Sequence, residues 1–276
     1  MQRISDNVYV ETKFRGCNPG FVVTSEGIVM IDTPYRPSDA VAWRKEVMKK
    51  GEVRYIINTE PHADHTIGNY FFSGTLIGQE GVREALKAVT VNQILERVAD
   101  IDPGAMPLVS DYQLHLPAIT FSTRLTLYLG AHTFELIHLP GHTAAEIGVY
   151  LPEERVVFTG DNVFYKVQAF LRESHPMKWL ESLARLSQLD VASIVPGHGE
   201  VCDKSYLPEM AAFLNEWVDA VRKAIQQGMT KQQAMDAVSF LDRYPMDIGL
   251  EARGREIQRM NVERLYDLLK EQGGER

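Results

Sequence analysis

The sequence predicts an α/β fold with a helical C-terminal extension, and three observations carry the prediction. Up to about residue 204, strand-length apolar runs alternate with stretches of helical period. Several of those runs end in a turn containing Gly or Pro, the form expected where a strand delivers its last residues to a loop. From about Ser205 the strand signal disappears and only helical patterns remain. We therefore expect an α/β domain over 1–204 and a helical extension over 205–276 packed on it. A chain of 276 residues, 45% of them hydrophobic, can bury a core of that size.

Taken in order, residues 7–11, 20–24 and 27–31 read as short strands, the last two joined by the turn Ser25-Glu26. Asp32 follows the third and is expected either to orient a ligand histidine or to cap a turn. Residues 38–50 carry an apolar stripe at Val41, Ala42, Val47 and Met48, are preceded by Pro37 and are ended by Gly51, which predicts a helix. The β-branched run 53–57 predicts a buried strand, and 75–78 another. Val82, Leu86, Val89, Ile94 and Val98 predict one helix over 79–99. Residues 100–117, with Pro103, Pro107 and Pro117, read as an irregular connector or a flap.

Strands resume at 119–121, 124–129, 133–138, 147–151 and 156–159, with clear alternation in Leu125-Thr-Leu-Tyr-Leu129. A helix over 176–189 and a strand over 193–195 lead to the tight turn Pro196-Gly-His-Gly199. The extension predicts helices over 205–228, 230–240 and 251–272. Its apolar positions, among them Met210, Phe213, Leu214, Trp217, Val221 and Ile225, fit a packing surface, a pocket wall or a homodimer interface.

Composition narrows the partners. The net charge of −8 is opposed to a nucleic-acid partner, because phosphate binding needs a basic surface. No apolar run approaches the ~20 residues that span a bilayer, so no membrane association and a cytoplasmic location are expected. Cys17 and Cys202 stand far apart and outside any CxxC pattern, which is no disulfide framework.

The chemistry concentrates in Asn58-Thr-Glu-Pro-His-Ala-Asp-His-Thr66, where Glu60, His62, Asp64 and His65 follow the strand 53–57. Imidazole and carboxylate donors of this kind suit zinc and other divalent transition ions. Three later segments repeat the arrangement of strand, Gly turn and one ligand-type residue: His142 in Pro140-Gly-His-Thr143, Asp161 in Gly160-Asp161, and His198 in Gly197-His-Gly199. One such histidine would usually be a satisfied core residue. Four segments together predict a metal centre. Tyr165, Lys166 and Arg172, after Asp161, read as substrate contacts or an ordinary loop, and His115 and His175 as surface or satisfied histidines.

This ordered set resembles the metallo-β-lactamase superfamily, whose first motif has the form HxHxDH and is followed by Pro-Gly-His-Thr, Gly-Asp and Gly-His segments. The resemblance covers roughly residues 5–202 and implies an αββα four-layer sandwich with the ligands converging along one edge. It implies two divalent ions, zinc first with iron or manganese as alternatives. One would take Glu60, His62 and His142; the other Asp64, His65 and His198, with Asp161 bridging both. The chain departs from the pattern at Glu60, where the family usually has His; a carboxylate ligand adds negative charge and gives a less acidic bound water.

The implied activity is hydrolysis by a metal-bound hydroxide, with Asp64 or Asp161 orienting the nucleophile and a small-molecule ester, thioester, lactone or β-lactam-like amide as substrate. The alternatives are a phosphoester or sulfate-ester hydrolase, and an iron-dependent oxidoreductase or weakly active binding member of the same fold.

Overall fold

The computed structural model describes residues 1–274, and its first half is one seven-stranded sheet. Strands β1 (Gln2–Arg3), β2 (Val8–Val10), β3 (Gly20–Thr24) and β4 (Gly27–Ile31) each run antiparallel to the next in this series. After helix α1 (Pro37–Met48), β5 (Val53–Ile57) pairs in parallel with β4. A short helix α2 (Ala63–Thr66) holds part of the ligand loop, and β6 (Thr75–Gln79) continues the parallel half. Helices α3 (Glu80–Lys87) and α4 (Val91–Ile101) precede β7 (Ile119–Phe121), the edge strand.

The second sheet contains β8 (Arg124–Leu129), β9 (His132–His138), β10 (Ile147–Leu151) and β11 (Val156–Phe158). After β12 (Phe164–Tyr165) and helix α5 (Pro176–Ser187), β13 (Ser193–Val195) pairs in parallel with β11. A last short strand, β14 (His198–Gly199), pairs with β12. Helices α6 (Leu207–Gln226), α7 (Lys231–Ala237) and α8 (Gly254–Gly274) complete the chain.

Alternation along the strands builds four layers. In β4, Val29 and Ile31 face the second sheet, where they meet Phe134, Leu136, Val149 and Phe158. Ile28 and Met30 face the other way, against Ala40, Trp43 and Val47 of α1. The second sheet repeats the arrangement, because Val157 and Ile194 lie under Trp179 and Leu183 of α5 and under α6. Strands buried on both faces read as continuous apolar runs, which is why 28–31 and the inner end of β5 at 56–57 show no alternation in sequence. The result is the αββα sandwich expected from the sequence.

Three expectations are corrected. The helical stretch 79–99 is two helices, because Thr90 accepts from the Gln93 amide while the Gln93 side chain accepts from the Thr90 amide, a capping box that starts a new helix. Residues 103–109 form a 3₁₀ helix whose Val109 is buried under the first sheet's outer face. Tyr112 donates to the Ile67 carbonyl at 3.2 Å, so this segment buttresses the ligand loop and is no free flap. Finally, the last two residues of the turn at 196–199, His198 and Gly199, pair as β14.

Candidate metal centre

Every predicted ligand lies beyond the carboxyl end of a strand, and the strands point those ends to one edge. β4 and β5 run in parallel and deliver Asp32 and the 58–66 loop. β9, β11 and β13 deliver His142, Asp161 and His198. Two glycines let these loops close. Gly160 has φ +51, a conformation costly for other residues, and a Cβ there would strike Glu146 and Thr59. A Cβ on Gly197 would strike the Asp161 carboxylate.

The seven residues converge in two groups, Glu60, His62, His142 and Asp161 in one and Asp64, His65 and His198 in the other. In the first, His62 Nδ1 lies 2.9 Å from Glu60 Oε1 and 3.2 Å from His142 Nε2. In the second, His198 Nε2 lies 3.3 Å from Asp64 Oδ2. Asp161 faces both: Oδ2 is 3.4 Å from His142 Nε2, while Oδ1 is 3.2 Å from His65 Nε2 and 3.3 Å from His198 Nε2. Ligand atoms about 2.0–2.1 Å from a tetrahedral ion stand roughly 3.3 Å apart, so these spacings suit ion-sized gaps.

Three buried atoms in the cluster, Glu60 Oε2, His65 Nε2 and Asp161 Oδ1, have no hydrogen-bond partner. Orphaned polar atoms at the centre of a folded domain are costly unless something else satisfies them. Divalent cations held by the two groups would satisfy all three.

The outward nitrogens support the same reading. His65 Nδ1 is 2.9 Å from Asp32 Oδ2, His142 Nδ1 is 2.8 Å from the Phe170 carbonyl, and His198 Nδ1 is 2.7 Å from Asp247 Oδ2. His62 presents the opposite nitrogen, with Nε2 3.6 Å from Glu173 Oε2. His65, His142 and His198 thus turn one nitrogen inward and have an acceptor at hydrogen-bond distance on the other, the arrangement that fixes the tautomer of a metal-ligating histidine. Asp32 is held in turn by the Thr59 amide and hydroxyl at 2.8 and 2.6 Å, so of its two expected roles it takes that of orienter.

Burial alone would lower the His62, His65 and His198 pKa values, but neighbouring acidic groups raise them well above the ordinary range: Glu60 at His62, Cys17 and then Asp32 and Glu60 at His65, Asp161 and Asp247 at His198. Burial would raise Asp161, yet His198 and His65 hold it well below the usual carboxylate range. Glu146 goes the other way, because burial and then the Glu60 and Asp161 charges push it well above. Its Oε1 accepts from the Asp161 amide at 2.9 Å.

Asp247, Glu146 and Glu173 were not among the sequence candidates. None lies in a ligand motif, and Asp247 follows an irregular stretch of the extension, so only folding brings them in. Cys17 lies near Asp32 and His65, but burial pushes its thiol up to about 12 and Sγ points to the Thr33 carbonyl at 3.6 Å, which leaves it a core residue. Of the residues after Asp161, Tyr165 packs on Tyr206 and Arg172 is exposed; it is Phe164 that stacks on His198, with ring centroids 5.2 Å apart. His115 lies beside Tyr70, and His175 sits at the start of α5. No helix among the described residues is long and apolar enough to cross a membrane.

Comparison with known proteins gives the family and the fold. Residues 12–198 match the family model described as the metallo-beta-lactamase superfamily. The chain is 25% identical over 217 residues to a beta-lactamase-like protein 2 homolog of Caenorhabditis elegans, covering 74% of this chain and 65% of that relative. It is 29% identical over 225 residues to a hydroxyacylglutathione hydrolase of Brucella anthropi, covering 80% and 72%. A metallo-beta-lactamase family protein from Thermus thermophilus superposes with TM-score 0.69 at 16% identity, over 98% of this chain and 95% of that one, a likeness of fold.

Proposed function

The chain belongs to the metallo-beta-lactamase superfamily of metallo-hydrolases, and from that premise we propose that it hydrolyses an ester, thioester, lactone or β-lactam-like amide bond in a small molecule. The observation that carries the reading is the set of four histidines gathered at a shared cleft, three of them with an acceptor at hydrogen-bond distance from the outward nitrogen. Two divalent ions, zinc first, would be held by Glu60, His62 and His142 and by Asp64, His65 and His198, with Asp161 between the two groups. When bound, such ions supply an activated water and polarise the scissile group.

The protein's own groups then divide the work. Asp161, buried between both groups and fixed through its amide by Glu146, holds the two halves in register. Asp64 is the most exposed of the three carboxylates, with 24% of its side chain accessible, so it stands where a water entering from solvent can be oriented. His62 lies on the same open side at 32%. Substrate therefore approaches over His62 and Asp64, while His65, Glu60 and Asp32 form the closed floor.

The test is a substrate panel on metal-stripped and zinc-reconstituted protein, with an aryl ester, a thioester, a lactone, a β-lactam, an aryl sulfate and a phosphodiester. Turnover of an acyl substrate that is lost on chelation and restored by zinc supports the proposal. Cleavage confined to the sulfate or phosphate ester would overturn it.

A further inference from the structure

The C-terminal extension does more than cover the second sheet. Asp247, in the irregular stretch between α7 and α8, is 4% exposed and places Oδ2 2.7 Å from His198 Nδ1. The family model ends at residue 198, so this acid comes from chain outside it.

A second contact runs from α8 to the segment after β12. Asn261, 1% exposed, donates from Nδ2 to the Ala169 carbonyl and accepts on Oδ1 from the Leu171 amide, both at 2.8 Å. Between these two anchored residues lies Phe170, whose carbonyl faces His142 Nδ1 at 2.8 Å. Gln258, one turn earlier on the same helix face, donates to Gln168 Oε1 at 3.0 Å, and Gln168 donates to the carbonyls of Phe240 and Tyr244. The segment 168–171 is thus clamped by buried amides, and none of these amide groups is spent on the helix itself. Polar residues at 258 and 261 on the inward face of α8 make little sense as packing surface, because burial of an amide is tolerated only when its bonds are made.

We infer that the extension is an orienting scaffold of the metal centre, with Asp247 positioning His198 directly and Asn261 positioning His142 through the Phe170 carbonyl. The two devices act on different ligand groups: His198 belongs with Asp64 and His65, and His142 with Glu60 and His62. Loss of one should therefore loosen one ion and spare the other. A merely structural role would shift stability and leave the two affinities alike. The inference rests on the metal reading proposed above.

The experiment titrates zinc into the metal-stripped full chain against a chromophoric chelator, for wild type, Asp247→Asn and Asn261→Ser, with melting of the metal-free proteins as the check on folding. Wild type is expected to take two ions. Asp247→Asn should bind one of them roughly 10–100-fold more weakly and the other unchanged, and Asn261→Ser should show the reverse assignment. Unchanged affinities in both variants, or an equal loss at both ions in each, overturns the inference. A wild-type chain that takes up no zinc instead defeats the metal reading itself and this inference with it. Should a variant fail to fold, nitrogen NMR of the zinc-loaded wild type decides: His198 and His142 are expected to carry their protons on Nδ1, and a proton on Nε2 of either contradicts the scaffold role.

Discussion

Glu60 Oε1 lies 2.9 Å from His62 Nδ1 and 3.2 Å from His65 Nε2, so the one residue that departs from the family's first motif stands between the two ligand groups. It is fully buried, and its other oxygen has no hydrogen-bond partner. A carboxylate in that position is placed to ligate. Glu60→Ala is expected to lose an ion and to cost more activity than the roughly 10–100-fold of an outer partner. Glu60→His should keep or raise the occupancy of that site. Metal analysis of both variants checks this, and an alanine variant with unchanged metal and turnover would remove Glu60 from the ligand set.

His142 packs edge-on against Phe164 and Trp179, with ring centroids 5.6 Å away in each case, but its inward nitrogen faces only other ligands. Truncation should therefore separate activity from folding. His142→Ala is expected to reduce turnover to background while costing about 1–3 kcal/mol of stability. Denaturant unfolding beside a rate measurement tests it; a fully folded variant with ordinary turnover would contradict the assignment.

Asp32 sits at φ 55, in the left-handed region that Asn also tolerates, so Asp32→Asn can keep the backbone while weakening the hold on His65. The expected result is a folded protein whose affinity for one ion falls by roughly 10–100-fold. Competition with a chelator measures it.

The raised pKa values of His62, His65 and His198 fix the sign of a pH dependence. The shifts favour the protonated imidazoles when no cation is present, and ligation requires the inward nitrogens free. Metal uptake should release protons, and affinity should rise with pH by roughly tenfold per unit for each proton displaced. Calorimetric titration in buffers of different ionisation enthalpy counts them. Uptake without proton release would contradict the account.

Glu146 gives a stability prediction of its own. Its folded-state pKa is raised above the ordinary value of 4.5, first by burial and then by the Glu60 and Asp161 charges. Above pH 4.5 the unfolded chain has released this proton and the folded chain still holds it, so metal-free wild type loses stability as pH rises from there. Glu146→Gln cannot titrate and lacks that loss. Melting of both metal-free proteins at about pH 5 and about pH 8 should show the smaller drop in the variant.

Much of this was legible in the sequence because its signals are local. The run 53–57 followed by Glu60, His62, Asp64 and His65 is one strand and one loop, and the Pro-Gly-His, Gly-Asp and Gly-His turns repeat that form. The parts that stayed hidden depend on distance in the chain. Asp247 meets His198 across 49 residues, and Asn261 meets Leu171 across 90. Neither shows periodicity or a motif. The break at Thr90 was readable from the Thr90–Gln93 capping box, but the apolar stripe running through both helices masks it.

The most direct test of the central claim is elemental analysis of metal per chain, on protein purified without added metal. Two equivalents of divalent ion are predicted, one for each ligand group. One equivalent would mean that Glu60 does not complete its site, and none would contradict the metal centre altogether.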